Sequence, residues 1–122
     1  MTEVEAIEAM YAMGANVVDS ASTYLTVVTG YLIAAYFIGR ELTRFQMAVI
    51  SALFVSFSLS FIGAIYVGLN NILAISTQYP VQINGWLNYV SKPVNVLVLV
   101  VDMLGIIMAL IFMWSIRHPK KE

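Results

Sequence analysis

One acid in this chain is not explained by its neighbours. Asp102 stands inside VLVLVVDMLGIIMALIFMW, residues 96–114, with no other charged side chain in that run. Insertion scales put an aspartate at the centre of a membrane-spanning helix at roughly 2.5 to 3.5 kcal/mol unfavourable, so it should face protein or a wet cavity. The nearest base, Lys92, lies ten residues earlier, and an ion pair within one chain is not expected. Hydroxyls at similar depth on two earlier apolar runs, Thr26 and Thr29 on one and Ser58 and Ser60 on the other, are the expected partners. A hydroxyl can donate to a carboxylate or accept from a carboxylic acid, and burial among neutral groups favours the protonated acid. Two roles are open: a proton or cation site, or a polar lock that fixes helix register. The lock is preferred, because the only other members of a proton path would be Asp19, Asn95 and hydroxyls.

Other chemistry fails on inventory. The one histidine, His118, sits in the basic tail RHPKK, and there is no cysteine, so no metal site is expected. The serines have no base in reach for nucleophilic catalysis. Gly63 and Gly68 fall inside an apolar run and cannot make a phosphate-cradling loop. Arg117, Lys120 and Lys121 are too few for nucleic-acid binding; they read as a topology signal with weak attraction to anionic lipid. The expectation is a non-enzyme with neither cofactor nor metal.

The elements that position Asp102 follow from composition. Of 122 residues, 61% are hydrophobic and 11% charged, against about a quarter charged in soluble domains. A span needs about 20 mostly apolar residues, and three segments qualify: 21–39, 46–69 and 94–116. The predicted fold is a single all-α membrane domain, multi-pass in the inner or plasma membrane. Basic residues accumulate on the cytoplasmic side. Arg40, Arg44, Arg117, Lys120 and Lys121 share one side and only Lys92 lies on the other, which predicts an outside N-terminus and a cytoplasmic C-terminus. Trp114 on one boundary and Trp86, Tyr79 and Tyr89 on the other suit interfacial anchoring.

Two pieces should lie outside. In residues 3–18, Val4, Ile7, Tyr11 and Val18 fall on one helical stripe with Glu5, Glu8 and Asn16 largely opposite, which predicts a short amphipathic surface helix. Its acidic face argues against anionic lipid and for contact with the spans or a partner. The acidic start also lacks the basic and apolar regions of a secretory signal, so cleavage is not expected. Residues 70–93 are expected to form an outer loop with partial helix, with turns at Pro80 and Gly85 and a helix start at Ser91 before Pro93.

Helices already in lipid associate through close backbone approach and hydrogen bonds, which small residues spaced by four permit. Ala52, Ser56, Ser60, Ala64 and Gly68 form such a stripe on the second span. Ser22, Thr26, Gly30 and Ala34 repeat it on the first, and Gly105 and Ala109 continue a line through Asp102 on the third. These stripes should face each other or a neighbouring copy. The predicted function is therefore helix–helix association, as a homo-oligomer or an accessory subunit of a larger membrane protein. The arrangement of three spans, outside N-terminus and short basic tail also resembles that of three-span phage holins, on topology alone. That resemblance implies a pore, lined by the polar face of Ser22, Thr23, Thr26 and Thr29; a small ion channel using Asp102 is the companion alternative.

Overall fold

A computed structural model describes residues 2–79 and 85–118. The turn expected at Pro80 and the tail residues Lys120 and Lys121 lie outside the described residues. Three long helices, α1 (Glu3–Ile38), α2 (Arg44–Gln78) and α3 (Lys92–Arg117), carry a short 3₁₀ turn, η1 (Gly85–Tyr89), before α3. All three are long and apolar enough to cross a membrane. At about 1.5 Å per residue, the 36 and 35 residues of α1 and α2 reach about 50 Å, beyond the roughly 30 Å of hydrocarbon in a bilayer.

The helix starts are set by side chains that satisfy orphan backbone donors. Thr2 and Glu5 form a reciprocal capping box on α1, and Thr43 and Gln46 another on α2. Ser91 caps α3, with Pro93 in its first turn. The segment 3–18 is helical but is not a separate element. No proline interrupts it and α1 runs unbroken through Asp19 and Ser20.

The buried stripe of this segment also sits one residue back from the expected one. Ala6, Met10 and Val17 are buried, whereas Val4, Tyr11 and Val18 are exposed. One residue is about 100° of helix, and the continuous helix turns Met10 and Val17 inward, where they pack with Ile65, Leu69, Ile72 and Leu87. Within residues 70–93, expected as an outer loop with partial helix, 70–78 are the last turns of α2.

α1 and α2 form a tight antiparallel hairpin, and α3 runs parallel to α1. Two apolar cores result. One, around Tyr31, Phe54, Ile62, Ile106 and Met113, lies toward the end bearing the α1–α2 turn. The other, around Met10, Val17, Leu69, Ile72 and Leu87, lies toward the opposite end. Within the first, the rings of Tyr31 and Phe54 stack at 4.1 Å, while the Tyr31 and Ser51 hydroxyls pair at 2.8 Å. The turn end carries Arg40, Arg44 and Arg117 and is called the basic end below; the other carries Glu3, Glu5 and Glu8 and is the acidic end.

Candidate functional site

Asp102 is positioned by an interaction that does not use its carboxyl. The Tyr24 hydroxyl on α1 donates to the main-chain carbonyl of Asp102 at 2.6 Å. The close approach requires Gly105, where a Cβ would stand 2.6 Å from the Tyr24 hydroxyl oxygen. Toward the basic end, Arg117 Nη1 donates to the carbonyls of Gly39 at 2.8 Å and Leu42 at 2.6 Å. Arg40 Nε returns a bond of 3.2 Å to the Ile116 carbonyl. The Tyr24–Asp102 and Gly39–Arg117 pairs share a sequence offset of 78. α1 and α3 are thus clamped in one register at mid-length and at the basic end. Each arginine also satisfies carbonyls that a helix end leaves without partners.

A third clamp joins α2 to α3. The Asn95 amide donates to Asn70 Oδ1 at 3.0 Å, and Asn95 is 0% exposed, with its own Oδ1 unpartnered. Gly68, near Asn70 on α2, lets Val17 of α1 approach: a Cβ there would lie 2.6 Å from Val17 Cγ2.

The carboxyl of Asp102 is half-buried and lines one side of a groove of about 410 Å³. Val17, Val18 and Ala21 of α1, Ile65 and Leu69 of α2, Trp86 and Tyr89 of η1, and Val94 and Val98 of α3 make the rest of the wall with Val90. Asp102 is the only charged residue among them.

The hydroxyls expected beside Asp102 do not reach it. Thr26 donates to the Ser22 carbonyl at 3.0 Å and Ser60 to the Ser56 carbonyl at 3.0 Å; these residues and Thr29 point outward. Ser58 is fully buried, with an unpartnered hydroxyl. Ser60 lies two positions beyond Ser58, about 200° of helix, so the two cannot serve one site.

The small-residue lines divide. Gly105, Ala109 and Gly68 sit at contacts between helices of the chain. Ser22 and Gly30 on α1, and Ala52, Ser56 and Ala64 on α2, are exposed, with Ala34 half-buried. The α1 and α2 stripes therefore do not pack on each other. The hairpin is instead closed by larger side chains: Tyr31 on α1, and Phe54 and Ile62 on α2.

His118 stacks on Trp114 at 4.9 Å. Tyr24, Asn70 and the arginine caps were not foreseen, because all five of these hydrogen bonds end on main-chain or amide oxygens far away in sequence. Compared with known proteins, the chain matches no protein family, no curated protein and no solved structure.

Proposed function

We propose that this is a multi-pass protein of the cell membrane that works by helix–helix association, through the outward small-residue faces of α1 and α2. The observation that carries the reading is that, among the described residues, nothing covers Ser22, Thr26 and Gly30 on one helix or Ala52, Ser56, Ser60 and Ala64 on the other. A Cβ added at Gly30 or Gly63 would meet nothing within 4 Å. The Thr26 and Ser60 donors are turned back onto their own helices. Such a face offers close approach with the Thr26 and Ser60 protons already satisfied, a condition that suits helix packing in lipid. The partner is a second copy or a larger membrane protein. The basic residues of one end support its placement in the cytoplasm, with the acidic end outside.

The absence of cysteine allows a direct test. Single-cysteine variants at Ser56 and Ala64 should form oxidative cross-links in membranes, while one at the buried Ile62 should not. Equal cross-linking at all three would contradict the reading, and none at any would remove the second copy as the partner.

A pore is the second reading, favoured by the outward polar face of Ser22, Thr23, Thr26 and Thr29. Induced expression would then release a small dye and collapse the membrane potential. Undisturbed potential and growth would remove it.

A further inference from the structure

We propose that the groove between α1, η1 and α3 is a binding site for a hydrophobic monocation: an elongated amphiphile whose ammonium-type charge is met by Asp102. The groove is distinct from the outward faces of α1 and α2 and stands on different residues. Its volume, about 410 Å³, falls within the roughly 300 to 1,000 Å³ of small-molecule sites. Val94, Val98 and Asp102 follow at four-residue spacing on α3, so the acid lies about 12 Å along the helix from Val94. The wall between is valine, isoleucine, leucine and alanine, with Trp86 and Tyr89 contributed by η1.

Charge selects the occupant. Among the described residues no side chain donates to the Asp102 carboxyl, whose residue is engaged only through its main-chain carbonyl, and no base lines the groove. Once ionised, a carboxyl in apolar surroundings attracts a cation far more strongly than in water, and Trp86 and Tyr89 add aromatic surface for the ligand's hydrocarbon part. A whole partner helix, about 10 Å across, does not enter a groove of this size.

Full-length protein in mild detergent would be titrated with ethidium and followed by fluorescence anisotropy. Saturable binding is expected, weakened about tenfold or more in Asp102→Asn and retained in Asp102→Glu. Val98→Trp, which fills the groove and keeps the acid, should also weaken it. A neutral phenanthridine of similar shape should compete poorly. Circular dichroism would show that each variant remains helical. Absence of saturable binding to the unaltered chain, or an affinity unchanged from the parent in Asp102→Asn or in Val98→Trp, would overturn the proposal.

Discussion

Tyr24 and Gly105 act as one device: the glycine leaves the space into which the tyrosine hydroxyl reaches, and the Asp102 carbonyl receives its proton. Tyr24→Phe should lower stability by about 0.5 to 1.5 kcal/mol, the net value of such a bond. Gly105→Ala should cost about 1 to 3 kcal/mol, because the new methyl displaces the hydroxyl. Asp102→Asn should stay within about 0.5 kcal/mol of the parent, since its side chain makes no clamp. Unfolding titrations in mixed detergent would rank the three, and a large loss in Asp102→Asn with none in Tyr24→Phe would refute this division of labour. Ser58→Ala should be neutral or stabilising, as it removes a buried hydroxyl without a partner. The sequence pointed to Asp102 through its cost in lipid and to Gly105 through small-residue spacing. It could not point to Tyr24, since a bond to a main-chain carbonyl leaves no mark in residue type.

Helix ends carry the next level of organisation. Arg117 holds the carbonyls of Gly39 and Leu42 at the α1–α2 turn, and Arg40 holds that of Ile116 at the end of α3. Arg117→Gln should destabilise the fold by about 1.5 to 3 kcal/mol, the range for bonds to charged groups. Amide exchange at residues 39–43 should quicken more than in the middle of α2; unchanged exchange there would contradict the clamp. The three apolar runs, 21–39, 46–69 and 94–116, were readable because their length and hydropathy match a bilayer, and helices cover nearly all of them. Their extensions were not. Hydropathy falls at Asp19 and at Asn70, but neither residue stops a helix, and the backbone continues until caps or a turn end it. The Thr2–Glu5 and Thr43–Gln46 pairs were the local signals that mark the true starts.

Taken whole, the molecule closes its α1–α2 hairpin with Tyr31, Phe54 and Ile62 and leaves Ser22, Gly30, Ala52, Ser56 and Ala64 exposed, although small residues are what bring helices together in lipid. The proposed orientation predicts that, in intact cells, an impermeant maleimide labels Glu8→Cys and reaches Glu41→Cys only after permeabilisation; the opposite pattern would invert the topology. Association bears most weight, and the size of the native assembly tests it directly. Source membranes solubilised in a mild detergent and resolved by native electrophoresis should carry the tagged chain in a band well above that of a 13.5 kDa monomer. Gly30→Leu combined with Ser56→Leu should collapse that band to the monomer while the chain stays folded. A monomer in the unaltered membranes, or a large band indifferent to both substitutions, would contradict the association through these faces.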